Sequence, residues 1–430
     1  MNNTRFLRRL RRQDIDSPRR VRRANPVVTA VTGITLMSIA LTGCASAAVT
    51  SDAASSSTST SQTTATSTES TTDDATTTAD TISDTAAAAE AFLATLSDEQ
   101  REAVLYDYDD ETKTTSWSNF PVTFVERAGL NLADLTEEQR AAAMKVLEAL
   151  LSEKGYATVT GIMNGDQYLL ENSSSTEDSL GQYYIAFFGD PTDPSSAYEV
   201  QFGGHHLGIN ATLDGATDEV TFAPTHLGVQ PAVYTDEDGN EVEPFDAIYT
   251  DAFAFYDSLT AEQQATLTSG DVSMCAPGDT CDFSTGSGLT GADLTDEQRE
   301  LLLDLIENWS GMADEETTAT TRAEIEATLD ETVIAWSGET TYDMTTGNGI
   351  NFSISGPNVY VAFQAQQGSA GADIDGVTTS GWGHVHTIYR DPSNDYANSV
   401  EQQASTGMSG GPGGGGPGGG AAPGEQAPSS

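Results

Sequence analysis

The stretch Ala133-Asp-Leu-Thr-Glu-Glu-Gln-Arg140 recurs later in the chain as Ala292-Asp-Leu-Thr-Asp-Glu-Gln-Arg299. In both copies a threonine is followed three residues later by a glutamine. This spacing is typical of a capping box, in which each of the two side chains accepts a hydrogen bond from the backbone N–H of the other residue. Apolar residues at helical spacing follow each copy. Each copy is therefore predicted to open a helix that packs one face against a core.

Matching segments continue on both sides of these copies. Upstream, Phe92-Leu-Ala-Thr-Leu-Ser-Asp-Glu-Gln100 is matched by Phe255-Tyr-Asp-Ser-Leu-Thr-Ala-Glu-Gln263, again with capping-box spacing. Downstream, three segments rich in strand-forming residues follow in the same order in both copies. They pair 158–162 with 332–336, 184–189 with 351–356, and 198–202 with 359–363. The order of the matches indicates an internal duplication.

The predicted fold class is α+β. We expect a single domain at 88–400 made of two pseudo-symmetric halves, about 88–250 and 251–400, each a helix pair followed by antiparallel strands. The same alignment places the histidines of 204–209 opposite those of 383–388. Such an arrangement predicts a shared cleft, because ligand sites favour the interface between two halves.

The N-terminal region is typical of an exported lipoprotein. Nine arginines precede a short apolar run that ends in Leu41-Thr42-Gly43-Cys44, a lipobox in which Cys44 receives the lipid. Residues 1–43 are thus predicted to be a signal peptide. The Ser/Thr-rich segment 44–87 is predicted to be a disordered stalk, and the Gly/Pro-rich segment 401–430 a disordered tail. We expect the protein in the cell envelope, lipid-anchored on the outer side of the cytoplasmic membrane.

The chain is strongly acidic, with a formal charge of −47. Removal of residues 1–43 takes away nine of the 18 basic residues and two of the 65 acidic ones, which leaves −54. Such a surface repels nucleic acid, so the only expected partners are the membrane, through the lipid, and a small-molecule or metal ligand. The two remaining cysteines, Cys275 and Cys281, flank a Pro-Gly turn, and outside the cytoplasm this spacing favours a disulfide.

All five histidines lie in three short segments, which makes them the candidate site. On a strand, His384 and His386 project from the same face and can chelate a metal ion. Adjacent His205 and His206 project from opposite faces, so only one of them is expected to join the same ion. The predicted metal ligands come from His205, His206, His384 and His386. Imidazole suits zinc, copper or nickel, and the sequence does not choose among these metals.

Further residues near the histidines are candidates for binding. Asn210 follows His206 on the same predicted strand face, and His226 can supply a third ring. Arg390, the only basic residue after Arg322, forms either an ion pair with a neighbouring aspartate or a clamp for an anionic ligand. The remaining binding candidates surround it, namely Tyr389, Asp391, Asn394 and Asp395.

Taken together, these motifs resemble the domain-of-unknown-function 3500 family of exported bacterial proteins. The resemblance rests on the Leu-Thr-x-Glu-Gln helix openings and on three segments: Gly-His205-His206-Leu-x-x-Asn210, Pro-Thr-His226-Leu-Gly, and His384-x-His386-x-x-x-Arg390-Asp391-Pro-x-Asn394-Asp395-Tyr396. It covers residues 89–397, and it departs from the usual family pattern at Ala397, where members carry glycine. It implies a shared fold and a shared histidine-bearing site, and brings no activity with it.

Three functions are compatible with these residues, and they leave open whether the protein is an enzyme. The first is an exported metalloprotein, in which Arg390 holds an anionic group beside the metal. The second is a cofactor-free acid/base enzyme with His206 and His386 as the proton-transferring pair. The third is a non-catalytic lipoprotein that binds a small molecule in its cleft.

Overall fold

The computed structural model describes residues 76–173, 180–268, 272–279, 281, 283, 288–345, 347–366 and 381–400. The predicted signal peptide, residues 44–75 of the predicted stalk and the predicted tail lie outside these residues. Within them, no helix combines the length and apolar character needed to cross a membrane.

Eight α-helices form in the described part of the chain, four before and four after the middle of the domain. They are α1 (Thr78–Ala94), α2 (Asp98–Val104), α3 (Glu137–Leu150), α4 (Glu153–Asn172), α5 (Asp246–Ser258), α6 (Ala261–Gln264), α7 (Asp296–Ser310) and α8 (Glu315–Ala327). Capping boxes open α2, α3, α6 and α7, as the sequence predicts.

The same residues form fourteen strands. They are β1 (Leu105–Tyr106), β2 (Leu130–Asn131), β3 (Tyr184–Phe188), β4 (Ala197–Gly203), β5 (Leu207–Asp214), β6 (Glu219–Thr221), β7 (Thr225–Val229), β8 (Tyr234–Thr235), β9 (Glu241–Val242), β10 (Leu289–Thr290), β11 (Val333–Gly338), β12 (Ile350–Ser355), β13 (Tyr360–Ala365) and β14 (Val385–Arg390). Twelve of them join one mixed sheet, whose main path is β1–β3–β4–β5–β7–β14–β13–β12–β11–β10. The α+β class is thus confirmed.

The centre of this sheet is the antiparallel pair of β7 and β14, where the strands from the two parts of the chain meet. Side chains from one face of the sheet, such as Val200, Leu227 and Phe352, pack into the main apolar core with the helices. On the opposite face, Ile388 packs against Trp117 and the neighbouring loops. The sheet is therefore covered on both faces, and a group at the end of the central pair is shielded from solvent.

One boundary and one element type differ from the sequence-based expectations. Helix α1 begins at Thr78, inside the expected stalk, because Thr77 and Asp80 form a capping box and Ile82 is buried in the core. The segment 158–162, predicted to be a strand, lies within α4. Its β-branched residues favour a strand locally, but the cap at Ser152 and the burial of one helical face outweigh that preference.

Candidate metal centre

Two histidine-bearing segments meet at one end of the central strand pair. His205 and His206 form the bend that joins β4 to β5, while His384 directly precedes β14 and His386 is its second residue. Strand β7 pairs with both β5 and β14, and so brings the two segments together. The backbone fixes the bend further, because Gly228 N–H donates to the carbonyl of His206 at 2.7 Å.

The ring nitrogens of these residues converge. His384 Nε2 lies 3.3 Å from His206 Nε2 and 3.0 Å from His386 Nε2. One ring nitrogen each from His205, His206 and His386 also lie within 4.8 Å of one another. The prediction that the two histidine pairs approach each other is confirmed.

The prediction that only one of His205 and His206 can join the cluster is wrong. It assumed that both residues lie on a strand, where neighbouring side chains point to opposite faces. They instead occupy a bend, and their rings stack with centroids 4.3 Å apart and an interplanar angle of 18°. Both rings therefore face the rings of the second segment.

The cluster is buried, which decides the charge of its rings. His206 is fully buried and His384 is 5% exposed. Burial lowers the pKa of His384 and His386 well below the ordinary value, and the neighbouring imidazoles lower both further. The two rings are therefore neutral near pH 7, and each offers one nitrogen lone pair.

Three Nε2 atoms at these separations suit a shared cation. A metal ion that binds imidazole at about 2.0–2.1 Å in tetrahedral geometry separates its nitrogens by about 3.3 Å. The observed distances of 3.0 and 3.3 Å are close to this value.

Asp166 supports the cluster from helix α4. Its Oδ1 lies 2.5 Å from His206 Nδ1, and its Oδ2 accepts a hydrogen bond from the Tyr183 hydroxyl at 2.7 Å. Both residues are buried. Asp166 was not predicted as a site residue, because the sequence of part of this helix favours a strand. In a helix, Asp166 lies four residues after buried Ile162 and therefore on the same buried face. A carboxylate at that position indicates a site residue.

His226 does not supply a third ring to the cluster. Its Nδ1 lies 2.7 Å from the Thr387 carbonyl oxygen and its Nε2 lies 3.0 Å from the His205 carbonyl oxygen. Burial lowers its pKa to about 3, so the ring is neutral and neither nitrogen points at the other histidines. The ring stacks on His386 with centroids 5.2 Å apart.

Arg127 was not predicted from the sequence either. Its side chain contacts the backbone just before the bend at His205 and His206. Its Nη2 donates to the Gly204 carbonyl at 2.7 Å, and the same guanidinium donates to the carbonyls of Ser118 and Phe120. Burial lowers the pKa of this guanidinium to about 10, so it remains charged at neutral pH. Its position fixes the carbonyl that directly precedes His205.

The remaining candidate residues lie apart from the cluster. Arg390 is four residues beyond His386 on β14, which places it roughly 13 Å away at the rise of a strand. Its Nε donates to Asp395 Oδ2 at 2.7 Å, so it forms the ion pair rather than an anion clamp beside the histidines. Asn210 Nδ2 donates to the Pro224 carbonyl and Asn210 Oδ1 accepts from Gln201, both within the buried sheet.

Three further candidates border a groove at that distant end. Tyr389, Asp391 and Asn394 line it together with Thr320 and Glu324 of α8. The structure therefore separates the terminal motif into two places, with the histidines at one end of β14 and the Arg390 group at the other. The predicted disulfide between Cys275 and Cys281 is present, and the Arg390 guanidinium donates to the carbonyl of Cys275.

These features define a class of protein, an α+β domain with a buried cluster of four histidines at the centre of one large sheet. The chain belongs to the family described as "Protein of unknown function (DUF3500)", whose model matches residues 78–398. The resemblance predicted from the motifs is thus confirmed. No curated protein and no solved structure matches the chain.

Proposed function

We propose that this protein is an envelope lipoprotein that binds one transition-metal ion through its buried histidine cluster. The observation that carries the proposal is the convergence of His206, His384 and His386 through their Nε2 atoms. His205 stacks on His206 and supplies the fourth ring. An all-imidazole donor set suits zinc, copper or nickel.

The geometry favours a metal ion that stays bound over one that activates an external substrate. Catalytic zinc sites keep one coordination position open to water or substrate, which requires access from solvent. All four rings are at most 6% exposed. The same burial disfavours the acid/base alternative, because His206 and His386 would have to reach a substrate to exchange protons with it. Storage, delivery or structural use of the metal fits this arrangement best.

Metal analysis of the purified full-length mature chain tests the proposal. Loading with Zn²⁺, Cu²⁺ or Ni²⁺ in separate samples, followed by gel filtration, should leave about one ion per chain for at least one of these metals. The variant His384→Ala/His386→Ala should retain none. His226→Gln is the matched control, since it removes an equally buried imidazole whose nitrogens face carbonyls, and it should retain the ion. Metal content that is unchanged in the double variant, or absent from the wild type, contradicts the proposal.

We propose further that Cys44 carries the lipid that anchors the protein outside the cytoplasmic membrane. The support is the arginine-rich leader and the Leu-Thr-Gly-Cys44 sequence. The variant Cys44→Ala should lose the lipid mass and be released from the membrane fraction. Unchanged mass and membrane retention contradict this assignment.

The two halves of the domain are also proposed to derive from one duplicated unit. In support, each half contributes five strands that follow one another from an outer part of the sheet to its centre. The order is β2–β3–β4–β5–β7 in the first half and β10–β11–β12–β13–β14 in the second. In this correspondence the turn at Gly204–Leu207 matches that at Gly356–Val359, and each is closed by the same backbone hydrogen bond, at 2.8 and 2.7 Å. This correspondence pairs β3 with β11 and β4 with β12, whereas the sequence alignment paired them with β12 and β13. His205 and His206 then correspond to residues 357–358, not to the second histidine pair as the sequence alignment suggested.

A further inference from the structure

Among the described residues, Asp166 reaches the histidine cluster from outside the two histidine-bearing segments. Helix α4 projects it toward the bend at His206, where Oδ1 lies 2.5 Å from the ring Nδ1. Its second oxygen is occupied, since the Tyr183 hydroxyl donates to Oδ2 at 2.7 Å. Asp166 and Tyr183 are 1% and 3% exposed, so water does not compete for either contact.

These contacts fix which nitrogen of His206 carries a proton. Burial, followed by the charge of Asp166, raises the pKa of the Tyr183 phenol well above its ordinary value, so the phenol stays protonated and acts as the donor. A carboxylate that already accepts from tyrosine through Oδ2 accepts from imidazole through Oδ1. His206 Nδ1 therefore carries hydrogen, and its Nε2 presents a lone pair to His384 at 3.3 Å.

We infer that Asp166 is a positioning residue of the metal site, which holds His206 in the ligating tautomer and supplies negative charge to offset the cation. This inference rests on the proposed metal-binding function. Carboxylates that accept from the outer N–H of a ligating histidine raise the basicity of that ligand, and their removal typically weakens metal binding by about 10–100-fold.

Helix α4 is anchored in ways that do not need Asp166. The carbonyl of Gly161 accepts from the Tyr234 hydroxyl at 2.9 Å, and Ile162 and Leu169 are buried on the same helix. Substitution of Asp166 should therefore leave the helix in place. The two roles, structural anchor and ligand positioning, can then be separated by experiment.

The experiment measures Zn²⁺ affinity of the full-length mature chain by competition with a chromophoric chelator, and the absorption spectrum of the Co²⁺-loaded protein. Asp166→Ala should weaken Zn²⁺ binding about 10–100-fold and alter the Co²⁺ spectrum. Asp166→Asn should weaken it less, because the amide oxygen still accepts from Nδ1–H but carries no charge. Tyr183→Phe should have the smallest effect of the three.

Glu199 provides the matched control. It is also a fully buried carboxylate, and it lies 3.8 Å from Lys113 rather than beside the histidines. Glu199→Ala and Glu199→Gln should leave Zn²⁺ affinity and the Co²⁺ spectrum unchanged.

Two results overturn the inference while the proposed function stands. One is Zn²⁺ binding by Asp166→Ala within twofold of wild type with an unchanged Co²⁺ spectrum. The other is an equal loss of affinity in the Asp166 and Glu199 variants, which marks a general effect of buried-carboxylate removal. If the wild-type protein binds only Cu²⁺ or Ni²⁺, the same variants are compared by competition for that ion. Absence of binding of Zn²⁺, Co²⁺, Cu²⁺ and Ni²⁺ by the wild-type protein overturns the inference together with the function on which it rests.

Discussion

His206 Nε2 lies 3.3 Å from His384 Nε2, although 178 residues separate the two along the chain. The contact exists because β7 pairs with β5 on one side and with β14 on the other, which aligns the bend before β5 with the start of β14. The geometry of the histidine cluster thus depends on the central strand pair of the sheet.

Replacement of His226 by phenylalanine should destabilise the protein without removing the metal. The aromatic ring preserves the stacking on His386, but one of the two carbonyls, Thr387 or His205, loses the single N–H that the neutral imidazole donates. Buried polar groups left without a partner cost about 1–3 kcal/mol. Urea unfolding should show a loss of this size, while metal stoichiometry stays at the wild-type value. Loss of the metal in this variant would make His226 a ligand after all.

The Arg390–Asp395 pair should act on stability alone. Both side chains are buried, and removal of one partner leaves an uncompensated charge that costs about 3–5 kcal/mol. Arg390→Met should therefore lower the free energy of unfolding strongly, and Arg390→Met/Asp395→Leu should lower it less than the single change. Metal affinity of the folded protein should not change. If Arg390→Met weakens metal binding while the fold is intact, Arg390 instead holds an anionic ligand that contributes to metal binding.

Glu199 should make stability depend on pH. Burial raises its pKa to about 7, and Lys113 only partly offsets this effect. Because the folded-state pKa is above the unfolded one, the contribution to stability is complete below about pH 4.5 and is lost as the pH rises through about 7. The variant Glu199→Gln lacks this titration. The difference in unfolding free energy, variant minus wild type, should therefore rise by about 3 kcal/mol between pH 4.5 and 8. A difference independent of pH would show that the carboxyl is ionised throughout.

The two helix openings should contribute equally to stability. Gln139 Nε2 donates to the Thr95 carbonyl and to Gln100 Oε1, each at 3.0 Å. Gln298 makes the matching pair of contacts with Ser258 and Gln263. Gln139→Ala and Gln298→Ala should each cost about 1–3 kcal/mol in urea unfolding, and the double variant should show the sum, since the two glutamines share no hydrogen-bond partner. If one substitution is silent and the other costly, the two openings are not equivalent.

The sequence predicted these helix openings because a capping box is local. Thr136 and Gln139 are three residues apart, and their mutual hydrogen bonds need no partner elsewhere in the chain. Segment 158–162 was misassigned because its strand preference is also local, whereas its helical state depends on packing against distant residues. Gly161, for example, lies close against Pro244. Local sequence preferences describe contacts between neighbours such as Thr136 and Gln139. They do not describe packing against residues that are distant in the chain.

The site was predictable in composition and less so in geometry. Histidines confined to three motifs indicated which segments would meet, and His206, His384 and His386 do so. The sequence did not reveal that His205 and His206 lie in a bend, because that depends on where β4 ends. Asp166 lies 40 residues from His206 in sequence, so only the packing of α4 against the sheet makes it part of the site.

X-ray absorption spectroscopy of the metal-loaded full-length mature chain shows whether the histidines bind the ion. We expect a first shell of three or four nitrogens at about 2.0–2.1 Å, with the outer-shell scattering of imidazole rings and no sulfur. That outer-shell signal should disappear in His384→Ala/His386→Ala. A first shell of oxygen ligands without imidazole scattering, or a chain that retains no metal after loading, would show that the histidine cluster is not a metal site.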